Sequence, residues 1–268
     1  MTRSIAIIGC GNLGATLARA YLRADLVDSS SLFLVERDPQ KRKKLSDRFG
    51  CHVLEKPLST LAGCETVVVA VKPQEGQSVC QQLSQVIRHE QLVISVMTGI
   101  RLEKLVSWLS HNKVVRSMPN LPVSILKGMT VFFADHHISE NECRSVQELF
   151  RATGACLQVG DEELLDSATA LSGSGPGFVF FLLEQLEKTA KELGFSSEES
   201  RLLVTQTLIG SVELWNSSGQ SAAELREGVT SKNGTTEAGL RVFQEAGLQQ
   251  TVHLAFERAV LRARELAQ

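Results

Sequence analysis

The chain has 268 residues, which is enough for one large domain or two ordinary ones. Hydrophobic residues make up 43% of it, charged residues 22%, and the formal net charge is −2, a composition typical of a globular protein. Because nucleic acids are bound through clustered Lys and Arg, this near-neutral balance argues against a nucleic-acid partner. No stretch approaches the ~18 apolar residues of a membrane span, so no membrane partner is expected either.

The six cysteines include no CxxC pair and no spacing with histidine that is typical of a metal site, so no metal is expected. Their pattern indicates small apolar residues in a reducing compartment. The chain also begins with an apolar strand and a glycine loop rather than a signal segment. We therefore expect a cytoplasmic location.

The first 160 residues alternate short β-branched apolar runs with amphipathic helical stretches. Strands are predicted at 4–8, 32–36, 66–71, 92–97, 113–116 and 129–133. Helices are predicted between them at 12–24, 39–49, 74–88, 102–110 and 140–153. This alternation predicts an α/β domain with a doubly wound, mostly parallel sheet over residues 1–160.

The remaining residues, 161–268, carry no strand-like run and predict an all-helical domain. Helices are predicted at 162–171, 177–193, 197–217, 222–227, 236–245 and 249–267. The segment 172–176 between the first two predicts a turn that ends in proline, a preferred residue at the start of a helix. Since so small a domain of long helices offers little core, we expect it to pair with another subunit.

The segment Gly9-Cys10-Gly11-Asn12-Leu13-Gly14 follows the first strand and has the spacing of a phosphate loop. Gly9 permits the tight turn, Gly11 lets the backbone approach a pyrophosphate, and Gly14 lets helix and strand pack closely. The helix that follows directs its amide N–H groups towards the phosphates. An ordinary surface turn would not require all three glycines, so the pattern predicts a Rossmann dinucleotide site.

The second predicted strand ends in Glu36-Arg37, and the two side chains favour different cofactors. A carboxylate at this position accepts hydrogen bonds from the ribose diol of NAD, whereas an arginine pairs with the 2′-phosphate of NADP. Lys41 and Arg42 follow closely and would add to the second alternative. Glu36 could instead merely pair with a neighbouring cation, so the residues alone leave the choice open.

Other strand ends are expected to border the same crevice, because ligands bind at the carboxyl ends of parallel strands. The candidates are Ala70, Val71, Lys72 and Pro73 after one strand, Thr98 after the next, and Asn120 after a third. Asn120 is held in a proline-rich turn and could orient a nicotinamide or a substrate. An ordinary turn for Asn120 and a solvated side chain for Lys72 are the alternatives.

The segment 229–240 is a polar loop that leads into a predicted helix. Hydroxyl side chains and free amides at the positive end of a helix dipole bind a carboxylate well. The alternative is simple N-capping by Thr235 or Thr236. Hydride transfer to a ketone usually recruits a Lys, His or Tyr as acid, whereas a C=N bond that is already protonated needs no strong acid. No Ser–His or His–Asp pairing stands out along the chain, which favours reduction of an imine.

Five motifs together resemble those of the Δ1-pyrroline-5-carboxylate reductases, over essentially the whole chain. They are G-C-G-N-L-G at 9–14, A-V-K-P at 70–73, R-S-M-P-N-L-P at 116–122, A-L-S-G-S-G-P at 170–176 and V-T-S-K-N-G-T-T-E-A-G-L at 229–240. The resemblance implies reduction of the cyclic imine 1-pyrroline-5-carboxylate to L-proline by NADPH, with NADH possible. It also implies a homodimer with interlocking helical domains, in some members a ring of dimers, with the active site at the subunit junction.

The resemblance assigns roles residue by residue. Cofactor contacts fall on Gly11, Asn12, Leu13, Glu36, Arg37, Ala70, Val71, Lys72, Pro73, Thr98 and Asn120, in addition to Gly9 and Gly14 of the loop. Substrate carboxylate binding falls on Ser231, Asn233, Gly234, Thr235 and Thr236. Thr236 matches the threonine that hydrogen-bonds the ring nitrogen and is the catalytic candidate. The turn at 172–176 is expected to form the floor beneath the substrate.

The chain departs from the family pattern in the substrate loop, which normally reads T-S-P-G-G-T-T. Lys232 replaces the proline and Asn233 replaces a glycine, so a cation stands close to the expected carboxylate. Another imine reductase and a dinucleotide-binding regulatory protein remain alternatives on this ground. A hydroxyacid dehydrogenase is less favoured, because Lys188 is followed four residues later by Glu192 rather than by asparagine.

Overall fold

A computed structural model describes residues 3–57 and 59–267, which form two compact units. One unit comprises the chain up to Ser174 together with the residues from Ala259 on, and the other is Gly175–Arg258. The predicted domain limits, 1–160 and 161–268, stay a prediction. The strands are β1 (Arg3–Ile8), β2 (Val27–Val35), β3 (His52–Leu54), β4 (Thr66–Val69), β5 (Leu92–Ser95), β6 (Val114–Met118), β7 (Gly128–Ala134) and β8 (Gly154–Val159).

Helices connect these strands, and their first residues explain where they begin. Asp38 caps α2 by accepting hydrogen bonds from the amides of Gln40 and Lys41, and Pro39 starts the helix. Ser139 and Glu142 form a capping box on α5. The helices are α1 (Asn12–Arg23), α2 (Pro39–Phe49), α3 (Pro73–Leu83), α4 (Leu102–Leu109), α5 (Glu140–Arg151) and α6 (Leu164–Ala168).

The eight strands form one sheet in the order β3-β2-β1-β4-β5-β6-β7-β8. β6 and β7 pair antiparallel, and the other neighbouring strands of the described sheet pair parallel. The prediction of a doubly wound, mostly parallel sheet is confirmed. The chain winds from β1 towards β3 and then returns to β4 on the other side of β1. The carboxyl ends of β1 and β4 therefore flank the switch point at which such sheets bind ligands.

Several elements differ from the sequence prediction. β3 and β8 were not predicted, because β3 has only three residues and β8 lies at a sheet edge with half of its side chains exposed. α3 ends at Leu83 rather than at residue 88. The predicted turn at 172–176 is partly helical, since Thr169–Gly173 forms a π-helical turn directly after α6.

The sheet separates two apolar cores. Ile5 and Ile7 of β1 pack on one side with Tyr21, and Ala6 and Ile8 pack on the other side. Successive side chains of a strand point to opposite faces, so a strand buried on both faces is a continuous apolar run. The phosphate loop thus follows a strand whose last four residues are buried.

In its described residues the second unit contains only helices and the turns and loops that connect them. It contains α7 (Gly175–Glu192), α8 (Ser197–Ser218), α9 (Ala222–Gly228), α10 (Thr235–Glu245) and the first part of α11 (Leu248–Ala267). Many large apolar side chains on these helices are exposed in the single chain, among them Phe181, Leu203 and Trp215. Among the described residues, no helix is both long enough and apolar enough to cross a membrane.

Candidate functional site

The phosphate loop makes a turn that its three glycines permit for three different reasons. Gly9 has φ +90° and lies against β4, where a Cβ would come within 2.7 Å of Val71 Cγ1. A Cβ on Gly14 would overlap the carbonyl oxygen of Gly9, so helix and loop touch there. A Cβ on Gly11 would meet no atom within 4 Å. The open side of the loop is therefore at Gly11, where a phosphate would approach.

The start of α1 offers amides to that open side. Gly11 is the N-cap residue and no side chain caps the helix, while the first intrahelical hydrogen bond runs from Ala15 N–H to Gly11 O at 3.0 Å. The amides of Asn12 and Leu13 precede that bond, and such N–H groups at a helix start bind anions. This observation fits the pyrophosphate of a dinucleotide.

Two hollows, of about 770 and 680 Å³, adjoin the loop and share Gly11 and Lys41. They collect most of the predicted cofactor contacts from separate parts of the chain. The first is lined by Gly11, Asn12, Leu13 and Asn120, and the second by Gly9, Gly11, Glu36, Arg37, Ala70, Val71 and Lys72. Gly14, Pro73 and Thr98 line neither. Gly14 supports the loop from below, and Pro73 begins α3.

The end of β2 places both candidate groups for the ribose. Glu36 is buried, and its Oε1 accepts a hydrogen bond from Asp38 N–H at 3.0 Å. Arg37 is exposed and pairs with Glu75 of α3, a partner that sequence reasoning missed. Arg42 donates to the carbonyl oxygens of Glu36 and Arg37, at 3.1 and 2.6 Å. Arg42 therefore supports the strand end, whereas Arg37 and Lys41 line the hollow together with Lys56 and Lys72.

Cys10 lies inside the phosphate loop but is no candidate for chemistry. Burial, followed by the nearby Glu36 carboxylate, raises the pKa of the Cys10 thiol to about 12. Only a thiolate acts as a nucleophile or a metal ligand. Cys10 is therefore a small packing residue at neutral pH.

Thr98 and Asn120 come to the same edge of the sheet and form hydrogen bonds with different neighbouring segments. The Thr98 hydroxyl donates to Met118 Sδ at 3.5 Å. The Asn120 side chain donates to Ser172 O at 3.2 Å and accepts from Met129 N–H at 2.8 Å. Both polar atoms of Asn120 thus hold backbone groups, and its predicted cofactor contact stays a prediction.

An ion-pair network behind this edge was also missed by sequence reasoning. Arg116 of β6 is almost fully buried and pairs with Glu162 at 2.7 Å and with Asp166 at 3.0 Å. Asp166 also pairs with Arg101 at 3.4 Å. The residues lie far apart in sequence, and no local pattern marks them as partners.

The second unit carries the predicted anion loop at the start of α10. Gly234 is the N-cap residue, and no side chain caps the helix in this described segment. Simple capping by Thr235 or Thr236 is therefore not what the threonines do. The Asn233 amide donates to Glu237 at 2.6 Å and the Gly234 amide to Ser231 O at 3.0 Å. The amides of Thr235 and Thr236 are left to face a ligand.

The loop has a geometry that its two unusual residues can maintain. Asn233 adopts φ +60°, a left-handed conformation that asparagine tolerates better than most residues. A Cβ on Gly234 would overlap Ser231 Oγ, so Gly234 is required for the close turn. Lys232 is exposed beside it.

Two family models match the chain. Residues 162–266 match the pyrroline-5-carboxylate reductase dimerisation family, and residues 4–99 match the family of coenzyme F420-dependent NADP oxidoreductases. The first match covers the helical part of the chain, and the second covers the first five strands of the sheet.

Relatives match over the full length. A pyrroline-5-carboxylate reductase of Pseudomonas aeruginosa is 37% identical, over 100% of this chain and 98% of its own length. The solved structure of a pyrroline-5-carboxylate reductase from Coxiella burnetii is 30% identical and has a TM-score of 0.93, with 100% of both chains covered. The solved structure of the Plasmodium falciparum pyrroline carboxylate reductase with NADP bound is 27% identical and has a TM-score of 0.87. The match covers 99% of this chain and 98% of that chain.

Proposed function

This chain belongs to the pyrroline-5-carboxylate reductase family, and we infer that it reduces the C=N bond of 1-pyrroline-5-carboxylate to give L-proline, the last step of proline biosynthesis. The single observation that carries this inference is the uncapped start of α10, where the Thr235 and Thr236 amides are free to bind a carboxylate. The phosphate loop and the strand ends of the first unit form the proposed cofactor site.

When bound, a reduced nicotinamide supplies the hydride that forms the new C–H bond at the imine carbon. The ring nitrogen ends the reaction with one proton and one lone pair, so no strong acid is needed when the imine enters protonated. The Thr236 hydroxyl, half-buried in the first turn of α10, is the group proposed to hydrogen-bond that nitrogen. Ser231, Asn233, Gly234 and Thr235 are the proposed residues around the substrate carboxylate. Positioning accounts for much of the rate in such a reaction.

The cofactor proposed for this chain is NADP(H), with NAD(H) as an alternative. Arg37 and Lys41 line the hollow at the end of β2, and their positive charges suit the 2′-phosphate of NADP. The Plasmodium falciparum relative has NADP bound, which supports the same choice. Glu36 retains a carboxylate at the same place, which suits the free diol of NAD. The thirteen cofactor residues named from the sequence keep their proposed roles.

The chain carries a dimerisation domain of this family, and a homodimer is proposed. A ring of dimers, the active site at the subunit junction and the functional division into 1–160 and 161–268 are proposals as well. A cytoplasmic location is proposed as well, because the six cysteines are all free, as is usual in a reducing compartment.

Replacing Thr236 with alanine tests the proposed mechanism. Loss of the hydroxyl should lower kcat by about tenfold or more, because an interaction made in the transition state is removed. The Kd for NADPH should stay within about twofold, because Thr236 belongs to the substrate loop. Thr236→Ser keeps the hydroxyl and is the matched control. Unchanged turnover in the alanine variant would remove Thr236 from the mechanism.

A further inference from the structure

The strongest feature that the proposed function leaves unused is the ion-pair network of Arg101, Arg116, Glu162 and Asp166. The side chains of Arg116 and Asp166 are only 3% and 2% exposed. Arg116 Nη1 pairs with Glu162 Oε1 at 2.7 Å, and Nη2 pairs with Asp166 Oδ1 at 3.0 Å. Glu162 Oε1 also accepts the Leu102 N–H that starts α4, at 2.7 Å. One strand side chain thus holds the segment before α6 and α6 itself.

The network suits orientation better than stabilisation. Its two arginines balance its two carboxylates, and removing charges from water costs about as much as a buried pair returns. The arginine fork has a fixed planar geometry, and here it holds two carboxylates that lie one helical turn apart in sequence. Such a contact fixes the position of α6 relative to β6.

α6 leads without interruption into the π-helical turn Thr169–Gly173, and that turn is held against neighbouring strand ends. Met118 lies two residues after Arg116, on the same face of β6, and its Cε fills the place of a side chain at Gly173. Asn120 donates to Ser172 O at 3.2 Å, and Thr98 donates to Met118 Sδ at 3.5 Å. The turn therefore contacts the segment that carries Asn120 and, through Met118, is linked to Thr98.

The turn itself has the marks of a functional segment. π-helical turns are rare and are frequently found at functional sites. The Ser172 hydroxyl is buried and has no hydrogen-bond partner among the described residues, which is unfavourable in a segment of purely structural use. An unfavourable geometry persists only where its surroundings determine it.

We propose that Arg116 and Asp166 are positioning residues for imine reduction, which hold α6 and the π-helical turn against Thr98, Met118 and Asn120. The proposal rests on the proposed function for its kinetic consequence. Neither side chain touches the substrate or the cofactor. They act by keeping the turn in place beneath the reacting groups.

The test removes one buried charge of each sign and leaves the two partly exposed ones. The double variant Arg116→Met/Asp166→Leu leaves Arg101 and Glu162, so the network remains neutral. Its kcat, measured where circular dichroism shows a fully folded protein, should fall by about tenfold or more, with the Kd for NADPH within about twofold of the original. Amide hydrogen exchange of the cofactor-free protein should be faster across 169–174 and unchanged across β1 and α1.

A matched control breaks an ion pair at the other end of β6. Lys113 pairs with Glu142 at 2.7 Å, and Lys113→Met should leave kcat and the exchange across 169–174 unchanged. The single variant Arg116→Lys keeps the charge but reaches only one carboxylate at a time, so it should show the same changes in smaller degree. It also serves as the test should the double variant fail to fold.

Original kcat and original exchange across 169–174 in a folded network variant would overturn the proposal. So would a loss of NADPH affinity as large as the loss of kcat. If the unaltered protein does not reduce pyrroline-5-carboxylate, the proposed function fails, and the exchange measurement still decides whether the network positions the turn.

Discussion

Gly11 and Gly14 lie three residues apart in the phosphate loop and have opposite surroundings. Gly14 touches the backbone of Gly9, whereas Gly11 faces open space with φ −66°. We therefore expect Gly14 of this loop to serve the fold and Gly11 to serve the proposed cofactor. The role in folding and the role in cofactor binding can be tested separately by replacing Gly14 and Gly11, each with alanine.

Replacing each glycine by alanine should give different defects. Gly14→Ala should lower the free energy of unfolding by about 2 kcal/mol or more, because its Cβ overlaps Gly9 O. Gly11→Ala should change that free energy by less than about 1 kcal/mol but weaken NADPH binding by about tenfold, because its methyl group occupies the approach of the pyrophosphate. Urea unfolding and a fluorescence titration with NADPH measure the two quantities. Equal NADPH affinity in Gly11→Ala and the unaltered protein would contradict this assignment.

In the proposed substrate loop at 229–240, the structure accommodates Lys232 and Asn233, the two residues that depart from the family pattern. Asn233 has φ +60°, so a residue that tolerates the left-handed region replaces glycine without breaking the turn. Glu237 accepts a hydrogen bond from the Asn233 amide at 2.6 Å and so closes the loop onto α10. Lys232 is exposed beside it, and we expect its charge to attract the proposed substrate carboxylate.

Among the connections between elements, the one from α4 to β6 contains a buried histidine. His111 Nε2 lies 2.7 Å from Gln91 O, and a neutral imidazole donates this hydrogen bond. The Gln91 side chain in turn donates to Leu61 O and Cys64 O, at 2.8 and 2.6 Å. Burial lowers the pKa of His111, with smaller contributions from His89 and Lys113 in the same direction and an opposing one from the Gln91 carbonyl.

This pKa direction predicts a pH dependence of stability. The unfolded chain takes up the His111 proton near its ordinary pKa of about 6.5, and the folded chain does so only at lower pH. The stability that depends on neutral His111 is therefore fully present above about pH 6.5. It is lost as the pH falls from that value towards the folded-state pKa of His111. Urea unfolding from about pH 7 to about pH 5 should show a smaller loss in His111→Gln than in the unaltered protein. Parallel curves for the two proteins would exclude His111 as a source of the dependence.

Elements with local signals could be predicted from the sequence. Asp38 and Pro39 mark the start of α2, and the structure begins the helix at Pro39. β8 could not be predicted, because its side chains alternate irregularly at a sheet edge. The phosphate loop is a local motif as well, whereas the pairing of Arg116 with Asp166 spans 50 residues and depends on tertiary packing. Glu75 opposite Arg37 is a second partner of this kind.

The whole molecule leaves a large apolar surface on the helices of the second unit. Phe181 of α7 and Leu203 of α8 are 64% and 46% exposed in the single chain. Exposed apolar areas of this extent mark protein interfaces. The match of residues 162–266 to a dimerisation family agrees with an interface on this surface.

Light scattering should therefore give at least the mass of two chains. The double variant Phe181→Glu/Leu203→Glu should dissociate to a single chain, because a buried unpaired charge at an interface costs several kcal/mol, on the order of 2–5. Gln185→Glu, an exposed polar position of α7, is the control that adds charge without removing apolar surface. A monomeric unaltered protein at micromolar concentration would contradict the proposed assembly.

The reaction itself tests the central claim most directly. Purified protein is mixed with 1-pyrroline-5-carboxylate and either NADPH or NADH, and both oxidation of the cofactor and formation of L-proline are measured. We predict proline in amounts equal to the cofactor oxidised, with NADPH used more efficiently than NADH. Cofactor binding without proline formation would contradict the reductase function and favour a dinucleotide-binding regulatory protein.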